Sequence, residues 1–472
     1  MHNFEKVFGI ETEYTMTVDY PGAAASDFRG SCHDAQQPIC RLPEKSPTHL
    51  LRQEQVLGYL GRFGIVAAED YLSNGGRFYF DISGPEYCTP ETRTVEEAVE
   101  RSFDGDYLVY SAFLDLVDDG VLNAFQFNRR SADHAGQSRG MHLNISVPDY
   151  LSLITDTSEM VDLHSSLNVA KAALLGSGGL MIDEDGITKF FHSPRLALSA
   201  ELDSTGSTGS VKPLYRSLVK GDNGVGRLET VTTDALNFPW PLKASMVLTE
   251  ALQDLINEGV TDGLPRIQDP ECISLWVGEH GPEACVDVDL PDGGQQTITA
   301  LDLLMTYATD FLRINEIKPV FRDEVVRTLQ ETIDVGNRYK RDPINAATQV
   351  ESVARLFALN RKLEDRGAPI DSEIACKFDF YWDKIGGGLA ERLRESNKAG
   401  RLGFKQPHSG RARSKRLAAP PNDTRAAIRS QLIKQGGLHL VNWHYVGDEQ
   451  GKRHLTPHGN VIPEDSYLDP NK

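Results

Sequence analysis

The sequence predicts an α+β fold: an antiparallel sheet with helices packed on one face, followed by a small C-terminal α/β domain. Three observations predict it. Strand-like runs near the N-terminus alternate polar and apolar residues with a period of two. Segments of the second half carry apolar residues at helical spacing. A Pro420-Pro421 break precedes a short helix and a β-rich run at the end of the chain.

The first strand is read in "KVFGIETEYTMTV", where Glu11 and Glu13 fall on one face and Phe8, Ile10, Tyr14 and Met16 on the other. A polar loop with Gly and Pro (21–47) leads to an amphipathic helix, "HLLRQEQVLGYLGRFG". The stretch "NGGRFYFDISGPEY" then places Arg77, Tyr79 and Asp81 opposite Phe78, Phe80 and Ile82, and its turn presents Glu86. "VEEAVERSFDGDYLVYSAFLDLV" reads as helix. "SRGMHLNISV" is a strand with His142, Asn144 and Ser146 against Met141, Leu143, Ile145 and Val147. "LHSSLNVAKAALLGSG" is a helix that stops at glycines. "TALDLLMTYATDFLRI" opens with a Thr299/Asp302 capping box. It lines up Leu301, Leu304, Met305, Ala308, Phe311 and Leu312. "LKASMVLTEALQDLI" and "NAATQVESVARLFALNRKLEDRG" behave alike, and such stripes are core packing. "APPNDTRAAIRSQLIKQG" is a break followed by a helix, and "GLHLVNWHYVGDEQGKRHLTP" is a hairpin. The boundary is placed at residue 400: 1–400 for the sheet-and-helix domain, 401–472 for the small one.

Composition excludes several classes. With 40% hydrophobic residues and no run long enough to span a bilayer, the chain reads as soluble rather than membrane-bound. The start lacks a basic region followed by an apolar stretch, so a cytoplasmic location is expected. Six cysteines without a C-x-x-C pair fit a reduced chain. Cys32, His33 and Cys40 lack a fourth ligand at zinc spacing. A net charge of −19 argues against nucleic acid as a partner. Against that sign, "KAGRLGFKQPHSGRARSKR" (398–416) is strongly basic, and reads either as a solvated linker or as a docking strip for an acidic partner.

The polar face of the sheet carries the functional signal. A merely solvated face is built from Thr, Lys, Ser and Gln; this one collects carboxylates, His, Asn, Arg and Tyr. Converging carboxylates repel unless cations sit among them, and hard oxygen ligands suit Mg²⁺ with phosphates. Arg77 has the geometry to pair with phosphate. No P-loop and no strand-borne G-x-G-x-x-G is present. "STGSTGS" (204–210) lacks the lysine, and "LGSGG" (175–179) caps a helix.

These stretches resemble a known family. "GIETEY", "NGGRFYFDISGPEYCTPE", "DHAGQSRGMHLN", "LLGSGGL", "PPNDTRAAIR" and "VNWHYV" stand in the order found in Pup ligases and depupylases, which have a glutamine-synthetase-like fold. The resemblance runs from the first strand to the C-terminal hairpin. It implies an ATP- and Mg²⁺-dependent enzyme with a curved antiparallel sheet. Glu11, Tyr79 and Glu86 match the family's Mg²⁺ positions; Arg77, Thr89 and Trp443 match ATP contacts; Asp81 matches the catalytic aspartate.

The implied reaction passes the γ-phosphoryl of ATP to a glutamyl carboxylate, after which a lysine amine attacks and Asp81 takes its proton. With water as attacker the same parts make an amidase. Three residues separate Asp81 from Pro85-Glu86-Tyr87, as in the depupylase branch, whereas Thr89 is ligase-like. Gly84 stands where the family has His, Leu143 where it has Glu, and "VKPLYRSLVKGDNGVGRLETVTTD" replaces its Asn-Thr-Arg-Asp-Glu-Pro-His run. Arg216 and Arg227 either stand in for the lost basic groups or are surface arginines. The expected partners are a small acidic Pup-like tail and a lysine-bearing protein. A small-molecule carboxylate–amine ligase and a non-catalytic nucleotide-binding module are the competing readings.

Overall fold

The computed structural model describes residues 6–19, 21, 53–81, 84–132, 138–148, 158–204, 212–216, 225–396, 410–422, 424–443, 445–449, 451–455 and 461–463. The Cys32/His33/Cys40 cluster, the "STGSTGS" loop beyond Ser204 and the basic stretch 398–409 lie outside them.

A seven-stranded antiparallel sheet organises the molecule. Its strands are β1 (Phe8–Glu13), β2 (Ala67–Ala68), β3 (Tyr71–Leu72), β4 (Arg77–Asp81), β5 (Gly84–Cys88), β6 (Met141–Pro148) and β7 (Val225–Thr233), in spatial order β7-β6-β1-β5-β4-β3-β2. The alternation read in the sequence sets its two faces. Phe8, Ile10, Met141, Leu143 and Ile145 are buried in one large core. Opposite them pack the helices α2 (Ser158–Leu175), α3 (Pro239–Glu258) and α4 (Ala300–Ile317), which add Leu167, Leu252, Leu304 and Phe311 to that core. A second core joins Tyr14 and Phe78 to Leu108 and Phe113 of α1 (Val95–Asp118), a helix capped by Thr94, whose hydroxyl accepts from the Glu97 N–H at 3.2 Å.

The expected helix cap at Thr299 is present. Its hydroxyl accepts from the Asp302 N–H at 3.0 Å and donates to the Asp302 carboxylate at 2.7 Å. The segment 345–367 begins later than its pattern predicts: a 3-10 turn, Pro343–Ala346, comes first, and α5 runs Glu351–Arg366. The cause is Glu351, whose carboxylate is held by the backbone N–H groups of Asn237 (2.7 Å) and Phe238 (2.9 Å), so the first turn is fixed from outside the helix.

The C-terminal segment contains α6 (Gly410–Ala418), α7 (Arg425–Gln435) and a four-stranded sheet, β8 (Leu440–Val441), β9 (Tyr445–Asp448), β10 (Gly451–Leu455) and β11 (Val461–Pro463), two strands more than the predicted hairpin. Its small core, Ile433, Val441, Val446 and Leu455, is completed by Tyr71 of the main sheet. The basic helix α6 packs on α1. Arg416 pairs with Asp104 at 2.7 Å and Arg413 with the same carboxylate at 3.3 Å, while Arg101 donates to the carbonyls of Arg416 and Ala419. At this end of the basic segment Arg413 and Arg416 serve internal docking rather than a solvated strip.

Candidate active site

Directly opposed residues of an antiparallel sheet share a face. The register aligns the polar side chains in rows: Tyr79, Glu86 and Glu13; then Arg77, Cys88, Glu11 and His142; then Gly9, Asn144 and Glu229; then Ser146 and Arg227. Residues far apart in sequence are thereby placed beside one another on the side away from the helices.

Glu11 is the hub. His142 Nδ1 lies 3.1 Å from Glu11 Oε2 and 3.1 Å from Glu229 Oε1, and Asn144 Nδ2 donates to Glu11 Oε1 at 3.2 Å. Ligand atoms of Glu11, His142 and Glu229 all lie within 4.8 Å of one another. Arg227 bridges Glu11 (3.5 Å) and Glu229 (3.1 Å), and Arg216 also pairs with Glu229. Both arginines belong to the site. Arg195, fully buried, meets Glu13 at 3.3 Å, Ser138 at 3.0 Å and His142 Nε2 at 3.4 Å.

Charge is distributed unevenly over this cluster. Burial alone pushes the Glu11 carboxyl up, but the His142 hydrogen bond and the positive groups of His142, Arg227 and Arg216 outweigh it and hold it below its ordinary value. Glu13 is held low in the same way, against burial, chiefly by Arg195. Glu86 has too little such help: burial, then the charges of Glu11 and Glu13, push its carboxyl up to about 8 against the opposing pull of His142 and the Tyr79 hydrogen bond. Among the described residues no Lys or Arg pairs with it; it hydrogen-bonds the Tyr79 hydroxyl, itself driven upward by burial and by Cys88, Glu86 and Glu11. Asn144 Oδ1 is buried with no hydrogen-bond partner among the described residues. Carboxylate, phenol and amide oxygens with an uncompensated acid among them fit a hard divalent cation.

A cavity of about 310 Å³ opens beside the cluster. Glu11, Thr89, Asn144 and Arg227 line it, together with Glu91, Arg425, Asn442 and Trp443. Thr89 is fixed there because its hydroxyl accepts from the Ile10 N–H at 3.0 Å. Trp443, supplied by the loop between β8 and β9, rests edge-on against Tyr71 with ring centroids 5.2 Å apart.

Of the seven residues singled out from sequence, Glu11, Thr89 and Trp443 line this cavity, and Tyr79 and Glu86 stand one row away from Glu11. Arg77 is engaged elsewhere, bonded to Asp70 at 2.5 and 2.8 Å and lying 4.0 Å over the Tyr79 ring. Asp81 ends β4 and pairs with Gly84, the first residue of β5. Gly84 has φ +151°, and a Cβ there would stand 2.7 Å from the Tyr14 carbonyl oxygen, so no histidine fits this backbone. Sequence reasoning missed Glu229, Glu91 and Asn442. In sequence Glu229 stands only two residues from Arg227 on one strand face; its place beside Glu11 comes from the β7-β6-β1 pairing.

A sequence model of the Pup-ligase protein family matches residues 6–447 of this chain. The chain belongs to the Pup-ligase family. It is 29% identical over 448 residues to a Pup--protein ligase of Nocardioides sp., covering 91% of this chain and 89% of that one. It is 22% identical over 461 residues to a depupylase of Acidothermus cellulolyticus, with 92% and 89% covered. Among solved structures it is similar to the ligase PafA in complex with the prokaryotic ubiquitin-like protein Pup (TM-score 0.75, 16% identity, 98% of this chain and 90% of that chain). It is also similar to PafA in complex with ADP (TM-score 0.66, 17% identity, 85% and 87% covered). The fold is the α+β, glutamine-synthetase-like architecture of the Pup-ligase family, and the protein is an ATP-dependent ligase or the related amidase of that family.

Proposed function

We propose that the protein joins a glutamyl side-chain carboxylate of a small acidic, Pup-like chain to a lysine amine, using Mg²⁺ and ATP. The observation that carries this reading is the cavity lined by both Trp443 and Glu11, with Glu11 itself standing against His142 and Glu229, on the sheet whose strand β4 ends at Asp81. Residues 1–400 form the catalytic part and 401–472 contribute the Trp443 wall. The setting is the cytoplasm, where ATP is held; among the described residues no helix is long and apolar enough to cross a membrane.

Glu11, Tyr79 and Glu86 would hold Mg²⁺, with His142 and Glu229 as further ligands, and the ion supplies positive charge against the phosphates. Thr89 and Trp443 contact the nucleotide. Arg227, already between two carboxylates, is the cation best placed to meet a phosphate oxygen. Arg77 acts on the nucleotide only if it leaves Asp70. In the reaction a glutamyl oxygen bonds the γ-phosphorus as the bond to ADP breaks. The lysine nitrogen then bonds the carbonyl carbon as phosphate leaves. Asp81 accepts the proton shed by the amine, which must be neutral to attack. In the amidase direction water attacks the carbonyl carbon of the amide, the amine leaves with a proton and the glutamyl carboxylate is restored; the three-residue interval between Asp81 and Pro85 favours this direction.

The test is incubation with Mg²⁺-ATP and peptides bearing a glutamate or an isopeptide, read by mass for loss or gain of one water. Asp81→Asn is expected to lower turnover about a hundredfold or more while ADP still binds. Turnover equal to wild type would remove Asp81 from its role.

A further inference from the structure

The cavity has walls from two parts of the chain, and one acid ties them together. Glu91 follows β5 and is buried at 6% exposure, in the cavity wall. Its carboxylate receives Arg425 Nε at 2.6 Å, Arg429 Nη2 at 2.8 Å and Arg429 Nη1 at 3.3 Å. The two arginines are four residues apart on α7, hence on one helix face.

Arg429 is the more constrained of the pair. It is fully buried, donates to the Gly75 carbonyl at 2.8 Å and the Trp443 carbonyl at 3.3 Å, and lies 4.7 Å over the Trp443 ring and 5.4 Å over Tyr71. A single guanidinium thus touches the main sheet through Glu91 and Gly75 and the C-terminal module through Trp443. The helix also sits very close to the hairpin it covers. Gly75 has φ +91°, and a Cβ there would meet the Ala426 Cβ at 2.8 Å.

We propose that Glu91 is a positioning residue for the nucleotide: by anchoring Arg425 and Arg429 it fixes the Trp443 wall against the Glu11 wall and so sets nucleotide affinity. This rests on the reading that the cavity takes the nucleotide. The physical reason is the asymmetry of buried pairs: without Glu91, Arg429 keeps its charge in a site closed to water, and separating the two walls becomes the cheaper arrangement. A nucleotide that touches both walls binds only when they are together. Docking and binding are therefore coupled, and each strengthens the other by the same factor.

The experiment measures ADP binding to the full chain by quenching of tryptophan fluorescence, with Trp443→Phe as the control that assigns the signal. Glu91→Gln is expected to weaken ADP about tenfold and to raise the KM for ATP by a similar factor, kcat falling much less. Glu91→Asp should recover part of the loss. The rise in Tm that ADP gives wild type should shrink in Glu91→Gln. Unchanged ADP affinity in Glu91→Gln, or a fall in kcat with KM untouched, would overturn the proposal. Should Glu91→Gln fail to fold, Arg425→Gln, which breaks one contact of the partly exposed arginine, must show the same KM-weighted loss. A wild-type ADP signal that persists in Trp443→Phe would instead overturn the reading of the cavity itself.

Discussion

Glu229 shows what one side chain adds to a site that a motif only outlines. It is 2% exposed, yet it pairs with Arg216 and Arg227 and stands 3.1 Å from His142, so its charge is both balanced and aimed at Glu11. If the proposed Mg²⁺ sits beside Glu11, a buried carboxylate in that position would be a metal ligand or orient one. Either role makes Glu229→Gln costly in metal affinity while preserving shape. The Mg²⁺ concentration for half-maximal ATP turnover is expected to rise about tenfold or more. A Mg²⁺ titration of turnover checks this, and an unchanged midpoint would leave Glu229 as a structural partner of two arginines. Glu11, Thr89 and Trp443 were legible in sequence because each sits in a recognisable stretch. Glu229 was not, because its significance depends on the pairing β7-β6-β1, a register no local pattern states. Arg77 shows the converse: its strand face was read correctly, but Asp70, which captures it, lies across a turn seven residues back.

At the scale of elements, the alternating strands and the striped helix α4 were readable because each buries one face. Helix α2 is different. It is covered by α3, α4 and the C-terminal-half helix Pro270–His280, so residues all round it are buried, including His164, Ser165, Asn168 and Lys171. No stripe distinguishes inside from outside in such a helix. Lys171 is bonded to the Thr249 hydroxyl of α3 at 3.0 Å, and burial pushes its ammonium down from 10.5 to about 7. The consequence for stability has a definite sign. Between pH 7 and 10.5 the unfolded chain holds a proton that the folded chain has released, so stability rises with pH across that window. Below pH 7 both states are protonated and the whole cost of the buried charge is present. Lys171→Met is expected to be more stable than wild type at pH 7 and to lose up to about 1.4 kcal/mol of pH dependence per unit above it. Urea unfolding of both proteins at several pH values from 7 to 10 decides the matter; parallel profiles would show that Lys171 keeps its proton.

The whole molecule carries a net charge of −19, yet its site gathers Arg195, Arg216 and Arg227 around the acids. The acidic substrate chain proposed for it would thus meet two opposing fields. At long range it is repelled by the sum; within a few ångströms it meets the local cations. Which field governs the encounter depends on screening, because the Debye length falls from about 30 Å at 0.01 M salt to about 10 Å at 0.1 M. At low salt the repulsion of the entire protein reaches the approaching chain, and the guanidiniums are already engaged with carboxylates, so they add little attraction beyond contact distance. Raising salt should remove the repulsion first. The kcat/KM for an acidic glutamyl peptide is therefore expected to increase between 0.01 and 0.1 M salt, whereas a neutral peptide of the same length should show little change. Steady-state rates across that series give the answer. A rate that falls steadily with salt would mean that a concentrated basic surface steers the substrate in, and that the charge summed over the chain is the wrong scale for this encounter.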